Sequence, residues 1–153
     1  MHASTVYRLR KALGLPEKPI EISEIFQMLG KIDQDLMDWA GTDVIGLNNP
    51  SNMFGVPDGP LMPLQMPDGT PTLISRGNAI DRGEDGSLYI YPRGDRSTAP
   101  SGRMPATGDF FDNIDRAPEF DEDELDAAAD FQQDFSVMTD ETARYLQEKA
   151  KKL

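Results

Sequence analysis

Residues 20–47, with the sequence IEISEIFQMLGKIDQDLMDWAGTDVIGL, contain a change of hydropathy period that decides the predicted fold. Apolar and polar residues alternate over Ile20–Ile25, which is typical of a strand. Apolar residues then recur at helical spacing over Ile32–Ala40, and Gly41 provides a C-terminal stop. The run Asp43–Leu47 is nearly all apolar, as in a strand buried on both faces. The stretch therefore predicts two neighbouring parallel strands with a helix packed across them, and the helical spacing predicts that Trp39 is buried.

The composition of the chain limits the classes of partner. Its 153 residues suit one domain with a modest core. The net charge of −12 at pH 7 argues against nucleic acid and anionic membranes as partners, because both need basic surfaces. The acidity indicates either a solvated surface or a preference for a basic partner. No run approaches the ~20 apolar residues of a membrane span.

Cysteine is absent, and His2 is the only histidine. This scarcity argues against thiolate nucleophiles, Cys- or His-based metal centres and His-based triads. The absence of cysteine also fits a cytoplasmic protein. The acidic run Asp121–Glu124 lacks the ligand order and the central glycine of an EF-hand, so it is predicted to begin a helix or to form an acidic connector. No catalytic or metal-binding residue is therefore predicted from residue types.

Two further helices are predicted near the ends of the chain. The first has an apolar stripe, and its Arg8 and Arg10 either face solvent or contact an acidic substrate. The last helix has Thr139 as its N-cap and lysines in its final turn. The predicted buried stripe of the last helix consists of Ala143, Leu146, Ala150 and Leu153.

The sequence of the middle of the chain predicts an antiparallel hairpin inserted outside the parallel sheet. Residues 58–67 are rich in proline, methionine and glycine, which predicts a loop. Pro71–Ser75 and Ser87–Tyr91 have strand patterns, and Asp85-Gly86 between them is a hairpin signal, so the two segments are predicted to pair. Arginines along this hairpin are either scattered surface residues or an anion-binding rim. These arginines are Arg76, Arg82, Arg93, Arg96 and Arg103.

These patterns divide the chain into three parts. Residues 1–57 form the N-terminal helix and the first βαβ unit, 58–108 the loop and hairpin insertion, and 109–153 the acidic connector and last helix. Asn48 and Asn49 directly follow the second predicted parallel strand. Ligands bind at the carboxyl ends of such strands in α/β folds, so both side chains are predicted to bind substrate. The alternative is a turn in which the asparagine side chains bond their own backbone.

The order of several segments resembles the N-terminal part of the uroporphyrinogen decarboxylase-like superfamily, which includes corrinoid-dependent methyltransferases. The longest segments are YRLRKALGLPEKPIEI at residues 7–22 and FQMLGKIDQDLMDWAGTDVIGL at 26–47. The shorter ones are MFG at 53–55, MPDGT at 66–70, GSLYIYPRGD at 86–95 and SGRMPATGDFFD at 101–112. The resemblance implies an α/β fold, namely a partial (β/α) TIM-barrel segment with an antiparallel β-hairpin insertion and a C-terminal helix. The hairpin favours the methyltransferase branch over the haem-pathway decarboxylase.

The resemblance also implies where a substrate would bind. Decarboxylases of the superfamily place two arginines around a glycine after the first strand, where this chain has Gly30 and Lys31. They place an aspartate after the second strand, where this chain has Asn48 or Asn49. Lys31, Asn48 and Asn49 are therefore the candidate substrate-binding residues. Lysine lacks the bidentate fork of arginine, and a neutral amide cannot stabilise developing positive charge, which argues against uroporphyrinogen decarboxylation.

The methyltransferase branch activates a thiol on zinc through His and Cys ligands that this chain lacks. Zinc and a corrinoid are therefore implied only for the complete family member. The leading expectation is an incomplete, inactive N-terminal part of a corrinoid-dependent methyltransferase, whose partner is the remainder of the barrel or a complementing chain. A corrinoid protein is a further candidate partner. The alternatives are uroporphyrinogen decarboxylase of porphyrin biosynthesis and a stand-alone, non-catalytic acidic interaction module; an exposed apolar surface is expected of the incomplete part and not of the module.

Overall fold

The structure, a computed structural model, describes residues 1–116, 126–129 and 137–152. It divides the chain into two units, Met1–Ile114 and Asp115–Leu153. Residues 1–57 and 58–108, which the sequence patterns separate, lie in the same unit and contribute strands to one sheet.

The first sheet combines strands from both of those parts. Its strands are β1 (Ile20–Glu24), β2 (Leu29–Gly30), β3 (Leu61–Gln65) and β4 (Pro71–Ser75). They lie in the order β2-β1-β4-β3. β1 is antiparallel to β2 and parallel to β4, with Ile20 opposite Thr72. β3 and β4 pair as an antiparallel hairpin, and β3 accepts Pro63 because an edge strand does not need every ladder N–H.

The second sheet is antiparallel throughout. Its strands are β5 (Ile80–Arg82), β6 (Leu88–Ile90), β7 (Gly102–Met104) and β8 (Asp112–Asn113), and neighbours in this order are hydrogen-bonded. The turn between β5 and β6 contains Asp85 and Gly86, and Gly86 has a φ of 81°, which few other residues adopt without strain. A short 3-10 turn, Pro92–Gly94, follows β6.

Two helices belong to the first unit, α1 (Ala3–Ala12) and α2 (Gln34–Ala40). Both confirm the helical spacing of the sequence, and Gly41 ends α2 with a φ of 66°, as predicted. α1 packs closely on β1 and β2, with Ala3 and Val6 buried. Gly30 makes this close approach feasible, because a Cβ there would lie 2.6 Å from Ile20 Cγ2 and 3.1 Å from Ala3 Cα.

The core of the unit Met1–Ile114 contains residues of both sheets and both helices. Phe54 lies between two other aromatic rings, with its centroid 6.3 Å from that of Phe26 and 6.3 Å from that of Phe111. The backbone N–H of Phe111 donates to the Phe26 carbonyl at 2.8 Å. Other buried apolar residues of this cluster are Val6, Ile20, Ile25, Met28, Leu36, Ile74, Leu88, Ile90 and Met104.

The prediction of a partial TIM-barrel segment is wrong. The chain is mixed α/β with two small, mainly antiparallel sheets, and the described residues contain no barrel-like βα repeat. The run Asp43–Leu47 is exposed and forms no strand. The run cannot pair with β1, because both edges of β1 are already paired. A tight turn places β2 along one edge, and β4 lies along the other.

The predicted pairing of Pro71–Ser75 with Ser87–Tyr91 is also wrong, because the two segments lie in different sheets. The hairpin signal at Asp85-Gly86 is correct, but it joins β6 to the three-residue strand β5. Pro71–Ser75, as β4, pairs instead with β3, which lies in the region predicted to be a loop. A strand as short as β5 gives too few alternations to be recognised in a sequence.

The second unit, Asp115–Leu153, contains the predicted last helix, Asp140–Ala150. Thr139 caps it as predicted, with its Oγ1 accepting from the backbone N–H of Thr142 at 3.2 Å. The predicted stripe is not buried within the described residues: Ala143 and Leu146 are half-buried and Ala150 is exposed. Leu153 and the acidic run at 121–124 lie outside the described residues.

Candidate functional site

The predicted substrate-binding residues lie in two different settings, one directly after a strand and two in an irregular stretch. Lys31 follows β2, and its Nζ lies 3.0 Å from Glu21 Oε2, with about half of the side chain exposed. Asn48 and Asn49 are exposed and hydrogen-bond to no described residue. No hydrogen bond or ion pair joins Lys31 to either asparagine, and a common substrate-binding role for the three side chains stays a prediction.

Arginine 10, one of the candidate contacts for an acidic substrate, is buried and paired inside the protein. Its guanidinium faces Asp35 and Asp33 at the start of α2. The hydrogen bond from Arg10 lowers the pKa of Asp35 to about 2, and the same bond raises the pKa of Arg10 against the opposing effect of burial. Arg8, the other candidate, is exposed and lies 3.3 Å from Asp68. Arg10 therefore ties α1 to α2 and is not available to a ligand.

The arginines beside the second sheet form no concentrated anion-binding rim. Arg96 pairs with Asp81 at 2.9 Å, and Arg103 pairs with Asp85 at 2.9 Å. Arg82 donates to the carbonyls of Gly86 and Gln65. The guanidiniums of Arg76 and Arg93 donate to no described residue. Local pairing accounts for three of the five arginines, as expected of scattered surface residues.

A small pocket lies between the first sheet and the loop after α2. Its volume is about 40 Å³, enough for a few water molecules and far below the ~300 Å³ or more of a typical ligand site. Its lining includes Asn52 and Asn78, whose amides already bond to each other at 2.9 Å. Asn52 Oδ1 also accepts from the backbone N–H groups of Phe54 and Val56. The pocket is held by a structural turn and is too small for a metabolite.

Sequence reasoning missed Asn52 and favoured Asn48 and Asn49 instead. The available signal was the position of Asn52 just before Phe54-Gly55, because an asparagine that accepts from backbone two and four residues ahead is typical of a tight turn. Among the described residues, no group of three or more His, Cys, Asp or Glu side chains could hold a metal ion.

The feature that stands out is an exposed apolar stretch, residues 39–49, which we call the exposed segment. It begins in the last turn of α2 and continues past Gly41 without regular structure. Trp39 is 59% exposed and Val44 78%, and Ile45 and Leu47 are exposed as well. Trp39 was predicted to be buried, and that prediction is wrong because α2 buries only Leu36.

Most of the backbone of the exposed segment makes no hydrogen bond to the described residues. The N–H of Thr42 bonds to the Met37 carbonyl at the helix end. Beyond Thr42, residues 43–49 make no hydrogen bond to any described residue. The next hydrogen bond along the chain is accepted by the Pro50 carbonyl. Apolar side chains and free backbone groups thus coincide in one short stretch.

No helix in the parts of the chain that the structure describes is long and apolar enough to cross a membrane. Comparisons of the chain with protein-family models, with characterised proteins and with solved structures find no match.

Proposed function

We propose that this chain is a non-catalytic part of a uroporphyrinogen decarboxylase-like enzyme of the methyltransferase type, and that it docks on the catalytic body of that enzyme through the exposed segment. The observation that carries the proposal is the exposure of Trp39, Val44, Ile45 and Leu47 in one stretch. Large exposed apolar patches mark surfaces that are covered by a partner. Tryptophan is also among the residues that contribute most to binding energy at interfaces.

The exposed side chains would contribute to the free energy of association. Burial of one valine, leucine or isoleucine side chain is worth roughly 1.5–3 kcal/mol, and part of this gain is already realised in a half-exposed residue. Val44, at 78% exposure, has most of its surface still to bury. Covering this valine together with Trp39 and its apolar neighbours would offset several kilocalories per mole of lost rotational and translational freedom, as an interface requires.

The few polar candidates for a catalytic role in the described residues have other partners or stand apart. The only histidine, His2, hydrogen-bonds through Nε2 to the Asp109 carbonyl at 2.8 Å. Lys31 is paired with Glu21, and Asn48 is exposed and makes no hydrogen bond to a described residue. Uroporphyrinogen decarboxylation, which needs fixed cations and a carboxylate around the substrate, is the less supported alternative.

The resemblance of the sequence to the superfamily supports the choice of partner. The catalytic body would hold the zinc and the corrinoid, because this chain has no thiolate and a single imidazole to offer as zinc ligands. We place the complex in the cytoplasm, since a chain without cysteine gains nothing from an oxidising compartment.

Co-expression tests the proposal. The chain, carrying an affinity tag, is produced together with the catalytic body of a uroporphyrinogen decarboxylase-like methyltransferase that lacks its own N-terminal region. We expect the body to co-purify in a stoichiometric complex and to transfer a methyl group to a thiol with zinc and methylcobalamin. The chain alone should show no turnover in that assay or with uroporphyrinogen.

A matched pair of variants makes the test specific to the exposed segment. Val44→Asp places a charge in the segment and should abolish co-purification, whereas Thr107→Asp changes an exposed residue of the second sheet's loops and should not. Val44 makes no hydrogen bond and is mostly exposed, so its substitution should leave the isolated chain folded. The proposal fails if the body does not co-purify, or if Val44→Asp binds as well as Thr107→Asp.

A further inference from the structure

We infer that Asp43–Leu47 binds its partner by strand addition: the run becomes an extra β-strand on an open sheet edge of the catalytic body, and basic residues surround that edge. This inference rests on the proposed function and specifies the chemistry of the partner surface. In the isolated chain the run is exposed and irregular, so the strand forms only in the complex.

The backbone of the run is prepared for this mode of binding. Residues 43–49 hydrogen-bond to no described residue, so within the described part of the chain their N–H and C=O groups are unpaired. A partner that covered only the side chains would leave several of these groups buried and unpaired, which weakens binding because each such group loses its hydrogen bonds to water. Gly41 and Pro50 delimit the stretch, because the first ends α2 and the second has no N–H to pair.

The side chains fit a strand covered on both faces. Val44 and Ile45 are β-branched and favour extended backbone. In a pleated strand Val44 and Gly46 point to one face, while Asp43, Ile45 and Leu47 point to the other. Binding as a helix is disfavoured because Gly46 has a low helix propensity. Docking of an irregular segment on a flat surface would bury only one side of it.

The negative charge of the chain favours a partner with a basic surface. A second copy would bring another net charge of −12 to the interface, with Asp43 of each copy in the paired strands. Asp43 is exposed and makes no ion pair with a described residue. A partner edge surrounded by lysine or arginine relieves this repulsion, so the affinity should fall as salt screens the charges.

Hydrogen exchange on the full chain, free and bound to the co-expressed catalytic body, tests strand pairing directly. We expect amides within Asp43–Leu47 to exchange roughly 100-fold more slowly in the complex, because paired amides open only with the interface. The dissociation constant should also rise at least tenfold, as a rough estimate, between 50 and 500 mM salt. Unchanged exchange of these amides would overturn the strand, and a salt-independent affinity would overturn the basic surroundings.

Proline variants provide a second test with matched controls. Adjacent N–H groups of a strand point to opposite edges, so at least one of Gly46→Pro and Leu47→Pro should weaken binding tenfold or more, as a rough estimate, relative to Gly46→Ala and Leu47→Ala. A Cβ at Gly46 meets nothing within 4 Å, so Gly46→Ala should not change the isolated fold, and circular dichroism of the isolated chain checks that Gly46→Pro is folded too. Strand pairing is overturned if both proline variants bind like their alanine controls.

The outcomes separate this inference from the proposed function. If Val44→Asp loses binding while both proline variants retain it, the segment docks through side chains alone and only strand addition fails. If Val44→Asp binds normally, the proposed function itself fails. If the purified chain sediments as a dimer that Val44→Asp dissociates, a second copy is the occupant and the inferred partner is wrong.

Discussion

Arg10 and Asp35 form a two-bond ion pair that joins α1 to α2: Nη1 donates to Oδ1 and Nη2 to Oδ2, each at 2.7 Å. Only 2% of the Arg10 side chain is exposed. Nη2 also donates to the Pro16 carbonyl at 3.1 Å, and Asp33 Oδ2 lies 3.7 Å from Nη1. A buried guanidinium is tolerated only while such partners remain, so this pair is a condition for the packing of α2 on the first unit.

Replacement of Asp35 by asparagine should lower the urea concentration at the midpoint of unfolding. The change leaves the buried Arg10 without its main counter-charge, which is more damaging than removal of both partners. Asp38→Asn is the matched control on the same helix, because Asp38 is exposed and should change the midpoint little. Urea unfolding followed by circular dichroism measures both, and equal midpoints would show that the ion pair contributes nothing.

The same pair should make stability depend on pH in the acid range. The pKa of Asp35 is about 2 in the folded chain against an ordinary value of 3.8, chiefly because Arg10 hydrogen-bonds to the ionised carboxylate. As the pH falls, the unfolded chain takes up this proton first, so the contribution of Asp35 is complete above about pH 4 and is lost between about pH 4 and pH 2.

The difference between the parent chain and Asp35→Asn isolates this contribution. The pKa values of Asp68, Asp85 and Asp95 are also lowered, so both chains should lose stability in acid. The gap between their unfolding midpoints should nevertheless shrink from pH 5 to pH 2. A gap that stays constant over this range would contradict the assigned pKa.

Gly30→Ala should destabilise the chain by about 1–3 kcal/mol, the usual cost of adding a methyl group to a packed core. The new Cβ would lie 2.6 Å from Ile20 Cγ2, 3.1 Å from Ala3 Cα and 3.2 Å from Val6 Cγ2. Gly46→Ala is the control, since a Cβ there meets nothing within 4 Å. Chemical unfolding of both variants measures the difference, and equal stability would mean that α1 does not pack on β2 as described. A functional role for Gly30 is not needed to explain its presence.

The sequence predicted helices, turns and caps well because these depend on neighbouring residues. The stop at Gly41, the turn at Asp85-Gly86 and the cap at Thr139 each follow from local backbone chemistry. Strand partners depend on residues far apart, and the apolar run Asp43–Leu47 has the same hydropathy whether its cover comes from this chain or from another. Hydropathy therefore predicted a strand buried on both faces, whereas the structure leaves the run exposed.

The candidate site could be predicted from the sequence only in part, for the same reason. Lys31 was predicted from the resemblance to the superfamily, and the two asparagines from their position after a predicted strand. The structure has no strand at Asp43–Leu47, so the positional argument for the asparagines no longer holds. The exposed segment was unforeseen as a surface, because the same apolar residues, Trp39 and Val44 among them, satisfied the pattern of a core. Only the geometry of the whole unit shows that β1 has no free edge.

The fluorescence of Trp39, the only tryptophan, should report directly on the exposed segment. In the isolated chain the indole is 59% exposed, so acrylamide should quench its emission efficiently, and Trp39→Ala should change the free energy of unfolding by less than about 0.5 kcal/mol. Leu36→Ala, one turn earlier on α2, is the contrasting control: Leu36 is 2% exposed, and its truncation should cost about 2–5 kcal/mol.

When the chain binds the catalytic body, the emission of Trp39 should shift to shorter wavelength and its quenching by acrylamide should fall. The tryptophans of the catalytic body would have to be replaced for this measurement. A large loss of stability in Trp39→Ala would mean that the indole is already buried in the free chain, and the docking surface would then have to exclude it. An unshifted spectrum in a complex that Val44→Asp disrupts would place the contact beyond Gly41, on the Asp43–Leu47 run alone.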